Sequence, residues 1–506
     1  MCIRLRSVFM LSGLLLLAGC ADNLGTEKIS TQTMIQRSMA AMGGVEKLKT
    51  IQTIVLKGSG TETWLGEGFK AGDSGPASTL NIVEVYDYAK GRAALEYDLA
   101  SSANMGFFNS HRREGLTKYG EGAAAQPVAY VMRNYGGFGV FSPGGFHGFS
   151  PHPSPEVAMR RSYLAIVSDI SSTVVEGEMT EDREFGGKML KFGTAKTKQG
   201  EPLGLYFDPE TKLLVGYDIT ETHDIMGDIR STYAFEDFKP VDGVPFPHRV
   251  KIRGEVGNSA DVEYTSVTFG ENALAEPLLT LPVQEPAPSQ ATKVLSGDYV
   301  PLKLVPVAPG VFQAEGYSHS SMVVEFPRWL VVVEAPQTEI QSNVLGQLLR
   351  KQFPGKPVQY VAMSHPHHDH IGGVRALVAL GATILVEKTH EVEMKRIIDA
   401  RHTYPPDELE RHRRSQQKVG GIEVYEGTKV ISDGGRTFEL HAIQFPHVAT
   451  MVIAYLPGER VLFNSDVTPR VIFDAVTKLK LRPDRIVSGH TGIASFADIA
   501  KSAQGS

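Results

Sequence analysis

The feature that most constrains this chain is a group of metal-binding side chains in the segment SHPHHDHIGG, residues 364–373. Four histidines and one aspartate occur within six residues, directly after the apolar run VQYVAMS. The run predicts a buried strand, and ligands of α/β sheets bind at strand ends. Imidazoles suit zinc, and a carboxylate adds the charge that neutral histidines lack. The segment therefore predicts a metal site, followed by a close backbone turn through Gly372 and Gly373.

Length and charge set the other limits. The chain has 506 residues, of which 42% are hydrophobic, so we expect more than one folded domain and no disordered chain. No apolar run reaches the ~18 residues of a membrane-spanning helix, which excludes a multi-pass membrane protein. There are 51 basic and 57 acidic residues, a net charge of −6, and no long basic block. We therefore expect no nucleic-acid partner.

The N-terminus predicts secretion. Arg4 and Arg6 precede a short apolar stretch, residues 8–17, which is typical of a secretory signal and too short for a stable membrane span. The stretch Leu17-Ala18-Gly19-Cys20 resembles the lipobox of bacterial lipoproteins. This resemblance implies removal of the signal, residues 1–19, and lipidation of Cys20. The alternative is an ordinary signal peptide in which Cys20 is incidental.

Lipidation of Cys20 would anchor the chain in a bacterial membrane. Ala21 rather than Asp follows the cysteine, so the inner-membrane retention signal is missing and we expect an outer-membrane lipoprotein that faces the periplasm. Cys2 leaves with the signal, and the mature chain then has no free thiol, which suits an oxidising compartment. A metal site in such a chain must use histidine and carboxylate ligands.

Residues 28–272 are predicted to form a β-rich domain. A helix-like stretch, TQTMIQRSMAAMGG, comes first, with Ser30 or Thr31 as its cap. From about residue 51 to residue 269, apolar and polar residues alternate between Gly, Asp-Pro and Asp-Gly turns. This alternation is typical of antiparallel strands with one buried face.

Three segments of this region resemble the outer-membrane lipoprotein carriers: MGGVEKLKTIQTIVLKGSG, YFDPETKLLVGYDIT and FEDFKPVDGVPFPHRVKI. The resemblance implies a curved sheet, or half-barrel, around a hydrophobic cavity that binds an apolar ligand. A β domain with a filled core is the alternative. The Gly-, Pro- and Phe-rich stretch 135–155 is expected to continue neither strand nor helix and to form a surface loop, with a flap over a pocket as the other interpretation.

A change of pattern follows this region. The stretch EPLLTLPVQEPAPSQATK predicts a semi-extended linker over residues 273–294. Beyond it, residues 295–506 alternate between short strand-like runs and helix-like segments, which favours α/β architecture.

The metal segment resembles the HxHxDH motif of the metallo-β-lactamase superfamily, which it matches at His365, His367, Asp369 and His370. The resemblance covers residues 295–506 and implies an αββα sandwich, two facing mixed sheets with helices outside. Three further positions match in chain order, each beside a strand-like segment: His447, Asp466 and His490.

Carried over residue by residue, the resemblance implies two metal sites. The first ion would be held by His365, His367 and His447, and the second by Asp369, His370 and His490, with Asp466 bridging. His368 falls at a variable position of the motif, so we expect it behind the ligands or in solvent. Three positions depart from the family's usual residues and leave the subfamily open: Glu334, Val448 and Ser465.

The implied site predicts a hydrolase. Two divalent ions roughly 3.5–4 Å apart can share a hydroxide and polarise a substrate oxygen. Bound metal lowers the pKa of water toward ~7, so no Ser or Cys nucleophile is needed. Asp369 is the predicted catalytic residue, and we expect two zinc ions, with iron or manganese as the alternatives. The predicted reaction is hydrolysis of an ester, lactone, thioester, amide or phosphoester of a small molecule, while Asp466 disfavours a β-lactamase, because those members generally lack the bridging Asp.

Two other functions stay open. One is a periplasmic carrier of hydrophobic ligands whose metal domain is not catalytic, which the intact ligand set disfavours. The other is an iron-dependent oxygenase, because some members of the superfamily hold iron with similar residues. Tyr317, His319 and Ser320 are either substrate contacts or an ordinary polar turn. The charged stretch 395–414 predicts a solvated helical face, or a lid over the site. Neither the substrate nor the oligomeric state follows from the sequence.

Overall fold

The computed structural model describes residues 29–65, 68–69, 74–101, 110–119, 126–133, 139–142, 162–164, 167, 177–197, 200–255, 259–270, 273–280, 302–315, 319–490 and 492–505. The signal, Cys20, Tyr317 and most of the stretch 135–155 lie outside these ranges. Within them, no helix has both the length and the apolar character needed to span a bilayer.

Two short helices lead into one large sheet. Helix α1 (Thr31–Ala41) begins at Ser30, whose hydroxyl accepts a hydrogen bond from the Thr33 amide, and α2 (Val45–Lys49) follows at once. Fourteen strands of the described residues then form the sheet. They are β1 (Thr53–Leu65), β2 (Ser74–Asp87), β3 (Arg92–Ser101), β4 (Ser110–Tyr119), β5 (Gln126–Arg133), β6 (Gly139–Ser142), β7 (Gly177–Met179), β8 (Arg183–Phe185), β9 (Lys188–Lys196), β10 (Pro202–Phe207), β11 (Leu214–His223), β12 (Gly227–Val241), β13 (Val244–Gly254) and β14 (Ser259–Phe269).

The strands pair antiparallel in the order β6-β5-β4-β3-β2-β1-β14-β13-β12-β11-β10-β9-β7, and β8 pairs with β9. Successive side chains point to opposite faces, as the alternation predicts. Ile54 and Leu56 join the main core with α1 and α2, whereas Val55 packs on the other face against Leu278 and Leu279. The predicted antiparallel β architecture is therefore confirmed.

Two expectations about connecting segments are wrong in part. Residues 139–142 form β6, which pairs with β5, because an edge strand offers free backbone groups even to a Gly-rich segment. The expected linker 273–294 begins with helix α3 (Ala275–Leu279), whose buried apolar residues pack on the sheet. The prolines of this segment predicted a linker, so the short helix was not expected.

The C-terminal part contains two further sheets. Over the described residues the first is ordered β15 (Lys303–Ala308), β16 (Val311–Glu315), β17 (Ser321–Glu325), β18 (Leu330–Val333), β19 (Val358–Ala362), β20 (Thr383–Glu387) and β21 (Ile422–Tyr425). The second is ordered β22 (Thr428–Asp433), β23 (Arg436–Phe445), β24 (Val448–Leu456), β25 (Val461–Asn464), β26 (Arg485–Ser488) and β27 (Gly492–Ser495). The helices are α4 (Glu339–Gln352), α5 (His368–Ile371), α6 (Val374–Ala379), α7 (Glu391–Asp399), α8 (Glu408–Arg414), α9 (Pro469–Lys478) and α10 (Phe496–Gly505).

Alternating burial shows how these layers stack. In β18, Val331 and Val333 face the second sheet, while Val332 joins a cluster with α4, α6 and α7. In β24, Val452 faces the first sheet and Ile453 joins a cluster with α9. Both sheets are mixed, since β18–β19–β20–β21 and β25–β26 pair in parallel. The predicted αββα sandwich is confirmed.

The turn between β11 and β12 packs into this sandwich. Ile225 and Met226 are buried in the cluster that contains Ile397 of α7. The Asp228 amide donates to the Arg401 carbonyl at 2.8 Å, and a carboxylate oxygen of Asp228 accepts from the Thr403 amide at 2.7 Å. The large sheet and the sandwich therefore share a hydrophobic cluster and backbone hydrogen bonds.

Candidate metal centre

The predicted ligands come from four strand ends at one edge of the sandwich. His365 and His367 follow β19, and α5 carries the rest of the motif. His447 lies between β23 and β24, Asp466 follows β25 and His490 follows β26. Strand ends that meet at one sheet edge bring together side chains that are distant in sequence.

The structure brings all seven predicted ligands together in two groups. In each group the candidate ligand atoms lie within 4.8 Å of one another. The first group consists of His365, His367, His447 and Asp466, and the second of Asp369, His370, His490 and, in addition, His319. The two groups divide the candidate ligand atoms in the way that the resemblance implies, and His319 is a further member that the resemblance did not include.

Asp466 faces both groups. Its Oδ2 lies 3.2 Å from His447 Nε2 and 3.7 Å from His365 Nε2. Its Oδ1 lies 2.5 Å from His490 Nε2 and 3.2 Å from His370 Nε2. One carboxylate thus presents a different oxygen to each group, which is the geometry that a bridging ligand requires.

Buried polar atoms with no hydrogen bond converge on this centre. Among the described residues, no hydrogen bond reaches His365 Nε2, His370 Nε2, His447 Nε2 or Asp369 Oδ1. Leaving a buried polar group unsatisfied costs roughly 1–3 kcal/mol, so four in one place call for a partner. Three imidazole nitrogens and a carboxylate oxygen are a donor set that suits zinc and similar ions. The residues present therefore fit a metal centre.

Glu334 fixes the orientation of two of these imidazoles. It is fully buried, and its Oε2 accepts a hydrogen bond from His370 Nδ1 at 2.9 Å. Its Oε1 accepts from the Ser364 hydroxyl, whose oxygen accepts in turn from His365 Nδ1 at 2.9 Å. Both rings therefore carry their proton on Nδ1 and present Nε2 to the centre.

The backbone at Glu334 reflects this role. Its φ of 66° lies in the left-handed region, which an ordinary side chain enters at a cost that functional sites often carry. The sequence marked Glu334 only as a departure from the family's usual residue. Its contact with a ligand of each group depends on the pairing of β18 with β19, which the local sequence does not encode.

The glycine pair after the motif is needed for close packing. A Cβ on Gly372 would lie 1.9 Å from the Gln337 carbonyl oxygen, and a Cβ on Gly373 would lie 2.2 Å from the Ser342 hydroxyl. The predicted close backbone turn is therefore confirmed, and it sets α5 against the segment that follows β18.

Burial and mutual charge set the protonation of the centre. Burial lowers the pKa of His365 well below 6.5 and that of His367 to about 4. Burial alone would raise the pKa values of Asp369 and Asp466, but neighbouring His370 lowers both well below 3.8. Burial alone would lower the pKa of His370, yet Asp369 and the other carboxylates raise it well above 6.5. Ionised carboxylates beside neutral imidazoles are the state that binds a divalent ion, which would replace the proton on His370.

Two turns of the large β sheet reach the metal motif. His367 Nε2 donates to the Gly68 carbonyl at 3.0 Å, and the Ala449 amide donates to the Phe69 carbonyl at 3.2 Å. His368, 2% exposed, lies 3.2 Å through its Nε2 from Asp224 Oδ2. No sequence pattern near Gly68 or Asp224 marks these contacts, because the partners lie 299 and 144 residues away along the chain.

The structure also places His319, Ser320 and the charged stretch 395–414. His319 and Ser320 are 6% and 7% exposed, and His319 contacts Asp369 rather than open solvent. In the charged stretch 395–414, Ile397 and Leu409 are fully buried against the first sheet's helices, while Arg411 is exposed. The stretch is therefore exposed on one side and packed against the domain on the other.

Comparison with known families agrees with this fold and site. Residues 332–494 match the sequence profile of the metallo-beta-lactamase superfamily. The C-terminal αββα domain is therefore a metallo-β-lactamase superfamily domain. The matched residues contain all seven predicted metal ligands and Glu334. No curated protein matches the chain.

Several solved structures are similar to part of this chain. A metallo-beta-lactamase from Pontibacter korlensis is 13% identical, with a TM-score of 0.31, over 40% of this chain and 97% of that chain. The sec-alkylsulfatase Pisa1 from Pseudomonas sp. is 16% identical, with a TM-score of 0.31, over 43% of this chain and 42% of that one. The metal-soaked Flv1 flavodiiron core from Synechocystis sp. PCC6803 is 13% identical, with a TM-score of 0.32, over 40% of this chain and 60% of that chain. The superfamily assignment rests on the profile match and the site.

Proposed function

We propose that this protein is a hydrolase with two zinc ions that cleaves an ester, lactone, thioester or phosphoester of a small molecule. The observation that carries the proposal is the position of Asp466, whose two oxygens face two separate groups of ligands. Bound there, two ions would supply a hydroxide nucleophile at neutral pH and polarise the substrate's carbonyl or phosphoryl oxygen.

Asp369 is the catalytic residue of this proposal. Its Oδ2 is held by His319 at 3.1 Å, while its buried Oδ1 has no hydrogen bond among the described residues. Its lowered pKa keeps the carboxylate ionised at neutral pH, because His370 and His319 offset its burial. An ionised, immobilised carboxylate at the centre can orient the attacking water and accept its proton.

Metal content and a substrate panel test the proposal. The full chain, purified without added metal, should contain two zinc ions and hydrolyse at least one member of a panel of esters, lactones, thioesters and phosphodiesters. One iron per chain would instead favour the iron-dependent oxygenase. No bound metal, together with no hydrolysis after zinc is supplied, would favour the carrier.

A cavity in the β domain favours a second function, the binding of an apolar ligand. Its space, including the open mouth, amounts to about 570 Å³, and its lining is mostly aromatic and aliphatic. Several polar groups interrupt that lining. The Glu84 carboxylate accepts hydrogen bonds from the hydroxyls of Tyr86 and Tyr264, and the buried Tyr163 hydroxyl has no hydrogen bond among the described residues.

These contacts support an apolar ligand that carries one hydrogen-bonding group. A fluorescent fatty acid, titrated into the full chain, should bind saturably. Val250→Trp, at the cavity lining, should weaken that binding at least about tenfold by filling space, whereas Val392→Trp, 83% exposed on α7, should not. Wild-type protein without saturable binding would make the β domain a spacer.

A further inference from the structure

His319 forms a short chain of hydrogen bonds that ends at the metal centre. The residue is 6% exposed, and its Nε2 lies 3.1 Å from Asp369 Oδ2. On its other side, its Nδ1 lies 2.8 Å from the Gln337 side-chain nitrogen. The order is therefore Gln337, His319, Asp369, and then the face of the carboxylate that has no hydrogen bond.

The proton positions in this chain follow from donor and acceptor chemistry. An ionised carboxylate only accepts hydrogen bonds, so His319 Nε2 must carry a proton and donate a hydrogen bond to Asp369. A neutral ring then has an acceptor at Nδ1, which a side-chain amide N–H of Gln337 can satisfy. The opposite tautomer would place two acceptors against each other at Asp369, so the contacts select one arrangement.

Further contacts hold His319 in place. The Gln341 side-chain amide donates to the His319 carbonyl at 3.0 Å, and the Ser320 amide donates to the Gly489 carbonyl at 2.8 Å. Gln337, whose φ of 65° is left-handed, also donates its backbone amide to the Asp369 carbonyl at 3.1 Å. The ring and the carboxylate are thus tied to the same short segment.

We propose that His319 is a positioning residue for the second metal site: its N–H holds Asp369 Oδ2 so that Oδ1 faces the second ion. The proposal rests on the dinuclear centre proposed above. It differs from a role as a metal ligand, for which His319 Nε2 would have to release its proton. It also differs from the substrate contact that the sequence left open.

Metal titration of the full chain separates these roles. Apoprotein prepared with a chelator is titrated with Zn²⁺ by calorimetry and with Co²⁺ by absorption, and the two equivalents are fitted separately. His319→Ala should leave the first Kd unchanged and weaken the second about 10–100-fold, the usual effect of losing a ligand's supporting hydrogen bond. His319→Gln should restore most of the affinity, because an amide N–H can donate to Asp369.

Two further variants complete the test. Gln337→Met removes the donor to Nδ1 and should weaken the second Kd by a smaller factor. His441→Ala, a buried histidine that contacts Glu439, is the control and should change neither Kd.

Each contrary result is informative. Wild-type affinity at both sites in His319→Ala overturns the proposal, and equal loss in His319→Gln and His319→Ala assigns His319 as a ligand instead. A wild-type chain that binds only one ion contradicts the proposed function itself. Thermal melting of the apoproteins shows whether His319→Ala folds, and if it does not, Gln337→Met decides.

Discussion

His367 of the metal motif donates a hydrogen bond from Nε2 to the Gly68 carbonyl, 3.0 Å away, in the connection between β1 and β2 of the other domain. The bond assigns the proton of this imidazole to Nε2 and leaves Nδ1 as the nitrogen that can bind a metal. A backbone carbonyl of the β domain thereby does for His367 what Glu334 does for His370. The metal centre is built from both halves of the chain.

The contact between His368 and Asp224 predicts a structural role without metal binding. His368→Ala should keep both metals and most of the activity, and should lower the free energy of unfolding by about 1–2 kcal/mol, the scale of a lost buried hydrogen bond. Asp224→Ala should behave in the same way. The double variant should lose less free energy of unfolding than the sum of the two single losses, because both substitutions remove the same contact. Metal analysis and urea unfolding are the measurements. Loss of metal from His368→Ala would make this residue a ligand.

The sequence predicted the ligands better than their supports. The seven candidate ligands could be named because each lies beside a strand-like run in the order that the family resemblance implies, and His365 to His370 form a compact motif. The contacts of Gly68 and Asp224 with the motif could not be predicted, since neither a backbone carbonyl nor an aspartate in a turn carries a sequence pattern that marks its partner. The support from Glu334 depends on strand order, and that from His319 on a turn that folds back onto α5. The local sequence pattern predicts helices and strands, whereas these contacts depend on how helices and strands that are distant in sequence pack together.

Loss of Asp369 tests the proposed chemistry directly. Asp369→Ala removes a ligand of the second ion together with the group that orients the water, so turnover should fall by several orders of magnitude while the fold remains. Asp433→Ala is the control and should retain activity, because Asp433 is a half-buried carboxylate on β22 that contacts Trp329 rather than the candidate ligands. The assay is the substrate on which the wild type is active, with circular dichroism as the check on folding. Near-wild-type hydrolysis at full metal occupancy in Asp369→Ala would rule out the proposed mechanism.

His402 predicts acid sensitivity in the contact between the domains. Burial, followed by the charge of Arg375, lowers its pKa from 6.5 to about 4. A histidine with a lowered folded pKa takes up its proton first in the unfolded state. Above about pH 6.5 the neutral His402 therefore does not reduce the free energy of unfolding. As the pH falls from there toward about 4, protonation of the unfolded state lowers that free energy.

At pH 5 this difference amounts to ~2 kcal/mol. His402→Gln should therefore lose less stability than the wild type between pH 7.5 and pH 5, by roughly that amount. Urea unfolding of the metal-depleted proteins at the two pH values is the measurement, since metal release would otherwise add its own pH dependence. Parallel losses in both proteins would contradict the assigned pKa.

Lipidation of Cys20 remains a prediction from the LAGC sequence. In a bacterial host, mass spectrometry of the membrane fraction should find a mature chain that starts at Cys20 and carries a diacyl or triacyl group. Cys20→Ser should release the chain from the membrane, whereas Cys2→Ser, within the signal, should not. A soluble wild-type chain that begins at another residue would contradict the prediction.

Glu334 supports a candidate ligand in each of the two groups, which distinguishes it from His319. Glu334→Gln keeps the size of the side chain but removes its charge and replaces one acceptor oxygen with a donor. The His370 Nδ1–H and the Ser364 hydroxyl then compete for a single oxygen, so either His370 or His365 loses its support. Both Kd values for Zn²⁺ should rise about 10–100-fold, in contrast to the single Kd affected by His319→Ala. Glu387→Gln is the control, a buried glutamate that caps the turn at Thr389, and it should bind both ions normally. A Glu334→Gln variant with two wild-type Kd values would show that burial alone orients these imidazoles.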